Sequence, residues 1–201
     1  MSAKELAIVD DDKAVRDALL WLLDGQPFAV SPFESAEALL QSGDPARFHC
    51  LIVDLRLGGM SGLVLLERLA LAPYCPPVIM LTAHGDVPHA VAALKLGAVD
   101  FLEKPFNDEH LIALLQQCLV RDETQRKHYY GKLHIEATLA SLTEREREVM
   151  KLVLMGKLNK QIADDLAISM KTVEVHRARV FDKMGVKSAV ELASRLAERQ
   201  V

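Results

Sequence analysis

The stretch LAIVDDDKAVRDALLWLL, residues 6–23, changes its period in the middle. LAIVD is a continuous apolar run closed by a carboxylate, the pattern of a strand buried on both faces. KAVRDALLWLL spaces its apolar residues three and four apart, as an amphipathic helix does. Between the two lie three consecutive aspartates, Asp10, Asp11 and Asp12.

The same strand-then-helix pattern recurs along the first 120 residues. FAVSPF (28–33), HCLIVD (49–54), PVIMLT (77–82) and VDFLE (99–103) read as strands. SAEALLQS, SGLVLLERLAL, DVPHAVAALKLG and NDEHLIALLQQCL read as the helices that follow them. Five strands alternating strictly with five helices predict an α/β fold, a five-stranded parallel sheet doubly wound by helices on both faces. In such a sheet ligands gather at the carboxyl ends of the strands. Beyond this region only helical patterns occur: LTEREREVMKLVLMG, NKQIADDLAI, SMKTVEVHRARVFDKMG and SAVELASRLAER. They predict a second, all-α domain of four helices. The expected division is a first domain over 1–121, a linker over 122–138 and a second domain over 139–201. The linker DETQRKHYYGKLHIEAT is polar and has no breaker before Gly131. A helix continuing out of the first domain and a flexible tether both fit it.

A length of 201 residues suits two compact domains, each able to bury a core. The net charge of −4 conceals an acidic stretch over 1–122 and a basic one over 123–201. The basic part is compatible with a polyanionic partner such as DNA. No apolar run reaches the roughly 18 residues of a membrane helix, and MSAKELAIVDDD has no signal-peptide pattern, so a cytoplasmic protein without membrane contact is expected. Cys50, Cys75 and Cys118 are odd in number and widely spaced. They indicate neither a disulfide framework nor a zinc site and are expected to be buried apolar residues.

Asp10 and Asp11 stand at the end of the first strand and Asp54 at the end of the third. If those strands are neighbours, three carboxylates converge, and their repulsion calls for a cation. An all-oxygen ligand set selects a hard ion, Mg2+ or another divalent cation. Thr82 ends the fourth strand with a hydroxyl, and Lys104 follows the fifth with an ammonium. Both suit a phosphoryl group carried on Asp54, the candidate nucleophile. Singly each feature is common in turns and caps; together they occupy the ends of strands one, three, four and five. Asp12 is set apart as a helix-starting carboxylate favoured by the helix dipole.

IVDDD, LIVDL, MLTAHGD and GAVDFLEKPF, in this order and spacing, resemble the receiver domains of bacterial two-component response regulators, which have a flavodoxin-like fold. The resemblance covers residues 1–120. It implies that Asp54 accepts a phosphoryl group from a sensor histidine kinase. It implies that Asp10, Asp11 and Asp54, with the main-chain carbonyl of Arg56, hold Mg2+, that Thr82 and Lys104 bind the phosphoryl oxygens, and that Lys104-Pro105 is cis. Phe101 matches the family's switch aromatic; the residues alone do not separate that role from an ordinary core aromatic. One departure stands out in LRLGGMSG: Gly58 occupies the position where the family usually has proline. A more mobile loop is expected from it, which bears on the phosphate lifetime more than on phosphorylation itself.

In the basic part, SMKTVEVHRARVFDKMG starts at Ser169, a good N-cap, and stops at Gly185. Val173, Val180 and Met184 share one face, with Phe181 at its edge. The opposite face carries Lys171, Glu174, Val175, Ala178, Arg179 and Asp182. Small apolar groups flanked by cations suit a helix in the DNA major groove, and Arg177, nearer the apolar side, is read as snorkelling. NKQIADDLAI would be the first helix of a helix-turn-helix. A helical protein-interaction domain remains open on the residues alone. LTEREREVMKLVLMGKLNKQIADDLAISMKTVEVHRARVFDKMGV resembles the LuxR-type four-helix DNA-binding domain over 139–199. By position in that family, Glu174, Val175 and Ala178 face bases. Lys171, Thr172, His176 and Arg179 contact phosphates, and Asn159 and Lys160 anchor the first helix. The last helix is a dimer contact in relatives, although closing the core would explain most of its residues.

The two resemblances together imply a response regulator of the NarL/FixJ type. This is a transcription factor rather than an enzyme on external substrates, whose receiver would catalyse its own phosphoryl transfer and loss at Asp54. The implied partners are a sensor histidine kinase, promoter DNA, RNA polymerase and a second copy on phosphorylation, through residues 87–96 and the fifth strand. Two other classes fit part of the pattern. A phosphohydrolase of the haloacid dehalogenase pattern needs a second aspartate where Arg56 stands. A phosphorylation-independent DNA-binding protein with a receiver-like dimerisation scaffold would not need all five site residues.

Overall fold

The structure, a computed structural model, describes residues 4–82 and 87–197. The motif residues Ala83, His84, Gly85 and Asp86, and the last two positions of the SAVELASRLAER pattern, lie outside the described residues. Two compact units divide at Arg126 and Lys127.

In the first unit the strands are β1 (Lys4–Val9), β2 (Phe28–Phe33), β3 (Cys50–Asp54), β4 (Val78–Thr82) and β5 (Asp100–Glu103). They alternate with helices α1 (Lys13–Leu23), α2 (Ala36–Gln41), α3 (Gly62–Ala70), α4 (Val87–Lys95) and α5 (Asp108–Ala140). All strand pairs are parallel, in the order β2-β1-β3-β4-β5. The expected doubly wound α/β sheet is therefore the observed one. The order reverses between β1 and β3, which makes the carboxyl ends of that pair the natural ligand crevice. Strand β1 stops one residue before Asp10, which directly follows it.

The two faces of the sheet are separated by the period of two. Ala7, Val9, Leu51, Val53, Val78 and Met80 pack with Leu39 of α2, Leu65, Leu66 and Leu69 of α3, and Ala93 of α4. Leu6, Ile8, Ile52, Ile79, Leu81 and Leu102 face the other way, against Leu19 and Leu23 of α1 and Leu111, Leu114 and Leu115 of α5. Cys50 and Cys118 are buried in that second layer as expected. Cys75 is only half-buried, and all three thiols are free.

Helix α5 runs to Ala140 through the whole segment read as a linker. Two residues of that segment are bonded into the first unit. Asp122 is fully buried against Tyr74 and Arg126, and the Arg126 guanidinium donates to the Phe48 carbonyl.

The second unit contains α6 (Glu144–Leu154), α7 (Asn159–Leu166), α8 (Met170–Met184) and α9 (Ala189–Ala197). Val149, Val153, Ile162, Val173, Val180, Met184 and Leu192 form its core. Helix α6 begins with a capping box: the Glu146 N–H donates to Thr143 Oγ1 and the Thr143 N–H to the Glu146 carboxylate. Helix α8 runs between Ser169, whose hydroxyl accepts from the Thr172 N–H, and Gly185, whose φ of +62° is the left-handed stop. No helix among the described residues is long and apolar enough to cross a membrane.

Candidate functional site

Val9 pairs with Val53 and Asp54 with Leu81, so the residues after β1 and at the ends of β3 and β4 lie at one edge of the sheet. Asp10 is fully buried there, Asp54 nearly so, and Asp11 is exposed. Each offers a carboxylate oxygen, and these oxygens lie within 4.8 Å of one another. The condition set by the sequence, that strands one and three be neighbours, is met.

Secondary structure aims each group. The Asp10 N–H donates to the Phe33 carbonyl, Arg16 Nη1 donates to the Asp10 carbonyl at 2.6 Å, and the Asp12 N–H donates to Asp10 Oδ1 at 2.9 Å. Asp12 is the N-cap of α1, its side chain accepting from the Ala14 N–H, and it stays out of the cluster. At Gly62 a Cβ would fall 2.1 Å from the Asp54 carbonyl oxygen, so only glycine lets the chain return this close to the end of β3.

Lys104 follows β5, and the Lys104-Pro105 bond is cis. Its Nζ donates to Asp10 Oδ2 at 2.7 Å and also to Asp54 Oδ2. Burial pushes the Asp10 carboxyl up, against the pull of Lys104. Burial likewise opposes the Lys104 ammonium, but the two carboxylates outweigh it and its pKa is raised. The site thus keeps a fixed cation facing its two buried acids. Thr82 is buried at the end of β4, its carbonyl accepting from the Lys104 N–H. Phe101 of β5 is half-buried, packed against the layer formed with α2, α3 and α4. The Arg56 N–H donates to Asp54 Oδ1 at 2.9 Å. An all-oxygen set of this kind fits a hard divalent cation.

In the second unit, Lys171, Glu174, Val175, Ala178 and Arg179 are exposed on α8, opposite buried Val173, Val180 and Met184. Lys160 is exposed on α7. Two of the named residues are engaged within the unit. Thr172 shares a hydrogen bond with the Ser169 hydroxyl, and Asn159 Oδ1 accepts from Arg177 Nη1 at 3.0 Å. His176 is half-buried, and its Nδ1 is a buried atom with no hydrogen-bond partner among the described residues. Arg177 also stacks over Phe181 at 5.2 Å, so it couples α7 to α8 rather than simply snorkelling. The turn between those helices passes through Ala167 at φ +51°, which the sequence did not signal.

A five-stranded parallel receiver with converging acids, joined to a helix-turn-helix unit, defines the class of response regulators that bind DNA. Two family descriptions match: "Response regulator receiver domain" over residues 6–116 and "Bacterial regulatory proteins, luxR family" over residues 140–196. The chain belongs to the response regulators with a LuxR-type DNA-binding domain. It is 44% identical over 192 residues to the transcriptional regulatory protein FixJ of Bradyrhizobium diazoefficiens, covering 96% of this chain and 93% of that one. It is 45% identical over 188 residues to the C4-dicarboxylate transport transcriptional regulatory protein DctR of Rhodobacter capsulatus, covering 92% and 95%. Among solved structures, the response regulator StyR superposes with a TM-score of 0.88 at 37% identity, covering 98% of this chain and 100% of that one.

Proposed function

We propose that Asp54 takes a phosphoryl group from a sensor histidine kinase, and that this controls dimerisation and the binding of promoter DNA. The observation that carries the reading is Lys104 Nζ bonded to both buried carboxylates, Asp10 and Asp54, beside exposed Asp11. In the transfer a carboxylate oxygen of Asp54 forms the new bond to phosphorus. The bond from phosphorus to the donor imidazole nitrogen breaks, and its electron pair returns to the imidazole. Asp10, Asp11, Asp54 and the Arg56 carbonyl would hold Mg2+, which when bound offsets negative charge on the phosphoryl oxygens. The Lys104 ammonium, released from the Asp54 oxygen that has reacted, turns to the phosphoryl group. The Thr82 hydroxyl donates to it, and Phe101 moves inward in response.

The receiver acts on no external substrate and catalyses only transfer on to and off its own aspartate. The second copy docks on α4 and β5, where Val91 and Leu94 leave apolar surface exposed. Two α8 helices then meet a repeated half-site in the cytoplasm, with RNA polymerase as the further partner. Glu174, Val175 and Ala178 read bases, while Lys160, Lys171, Thr172, His176 and Arg179 contact phosphates. Asn159 contributes through its bond to Arg177.

Incubation with acetyl phosphate and Mg2+, followed by intact mass, tests the central step. The native chain is expected to gain one phosphoryl group and Asp54→Asn none. No gain in the native chain, or equal gain in both, rejects the assignment.

A further inference from the structure

Three amide groups at alternate positions after Asp54 each donate to a carboxylate on a different element. The Arg56 N–H goes to Asp54 Oδ1 on β3, the Gly58 N–H to Asp11 Oδ2 at 3.1 Å, and the Met60 N–H to Glu37 Oε1 at 2.9 Å. Asp11 sits on the β1–α1 connection and Glu37 in the first turn of α2. The loop LGGM is therefore tied to the acidic site on one side and to α2 on the other.

A proline at position 58 would have no N–H to donate. Glycine supplies the donor to Asp11 and loses the stiffness of the ring. Glu37 offsets that loss two residues further on. Its carboxylate accepts from Met60 and closes over Gly59, where a Cβ would lie 3.2 Å from Glu37 Oε1 and where φ is +97°. The backbone N–H of Glu37 itself, and then that of Met60, hold the Glu37 carboxyl below the usual range.

We propose that the Gly58 N–H is a positioning group for Asp11 and that Glu37 is the positioning residue keeping the loop in reach, together setting the divalent-cation affinity of the acidic site. The inference rests on the reading of Asp10, Asp11 and Asp54 as a cation site. Asp11 is exposed, so water competes for its carboxylate. A donor fixed on Oδ2 restrains the side chain while leaving its second oxygen available to an ion. Outer-shell partners of this kind typically change metal affinity by about 10- to 100-fold.

Calorimetric titration with Mg2+ of the full chain decides the matter, with melting temperatures in Mg2+-free buffer recorded alongside. Gly58→Ala keeps the donor, and its Cβ would make an ordinary 3.6 Å contact with Asp11 Oδ2. Glu37→Gln keeps an acceptor for Met60. Both are expected within about twofold of the native affinity, while Gly58→Pro and Glu37→Ala lose about tenfold or more. Should Gly58→Pro fail to fold, Glu37→Ala against Glu37→Gln decides alone. Native-like affinity in Glu37→Ala, or equal loss in the glutamine variant, overturns the proposal. A native chain that takes up no Mg2+ overturns the acidic-site reading itself, and the proposal with it.

Discussion

The Tyr74 hydroxyl donates a 2.5 Å hydrogen bond to Asp122 Oδ1, and both side chains are buried. Arg126 completes the group, its Nε 2.8 Å from Asp122 Oδ2 and its guanidinium 5.0 Å over the Tyr74 ring. Burial, and then the neighbouring carboxylate, push the Tyr74 hydroxyl up, so it stays a donor across the physiological range. Without that hydroxyl, Asp122 would keep Arg126 but lose the donor on Oδ1, so part of its desolvation would go unoffset. Tyr74→Phe is expected to cost about 1–3 kcal/mol in urea unfolding. A loss under about 0.5 kcal/mol would show that water replaces the hydroxyl there.

Lys104 is the counter-charge of the acidic site when no cation is bound. Lys104→Gln leaves Asp10 and Asp54 facing each other and should destabilise the first unit by about 1–3 kcal/mol in Mg2+-free buffer. Added Mg2+ should narrow that gap, because a ligand held only by the folded state stabilises it and supplies the missing positive charge. Scanning calorimetry with and without Mg2+ reads both effects. A gap that Mg2+ leaves unchanged would mean that Lys104 does not share the cation's site.

Much of this was legible because it is carried by period and position. The apolar runs ending near Asp10, Asp54 and Thr82 fixed strand type and aim together, and strict alternation with helices left the parallel sheet as the consistent fold. Partners distant in sequence with no local pattern stayed hidden. Nothing in LAPYC announces Tyr74 as the partner of Asp122, 48 positions on. Glu37 reads as an ordinary first-turn acid until the loop after β3 is brought to it through Met60. Two features did have a signal. T-x-x-E at Thr143 is a capping-box pattern, and the missing proline at Gly58 meant an added N–H as well as a freer loop.

Glu146 makes the second unit sensitive to acid. Its carboxylate accepts from Lys183 Nζ at 2.7 Å and from the Thr143 N–H at 2.9 Å, Lys183 being the larger cause of a pKa lowered to about 2. The unfolded value is about 4.3. Because the folded pKa is the lower one, the stabilisation is fully present above about pH 4.3 and is lost as pH falls towards about 2. Glu146→Gln should therefore be less stable than native at pH 7, with the difference closing across that window. A difference independent of pH would remove the carboxylate's charge from the explanation.

Ala167 carries the turn between α7 and α8 at φ +51°, where an L side chain is strained. Glycine adopts this region freely, although it loses more entropy on folding. The net expectation for Ala167→Gly is a gain of about 0.5–1 kcal/mol, read as a raised melting temperature of the second unit. A lowered melting temperature would show that the Ala167 methyl makes packing worth more than the strain.

Two substitutions on α8 separate base reading from phosphate contact. Val175 and Lys171 are both exposed, so neither change should disturb the core formed by Val173, Val180 and Met184. Lys171→Ala removes one of the exposed cations proposed to contact the DNA backbone. It should weaken specific and non-specific DNA alike and reduce the slope of log affinity against log salt by about 1. Val175→Glu places a carboxylate beside Glu174 on the surface assigned to base edges. It should abolish discrimination between operator and random DNA, because an apolar contact is replaced by a charge that most base edges cannot satisfy. Shift assays across a salt series read both variants. If Val175→Glu keeps its preference for operator, another face of the second unit reads the bases.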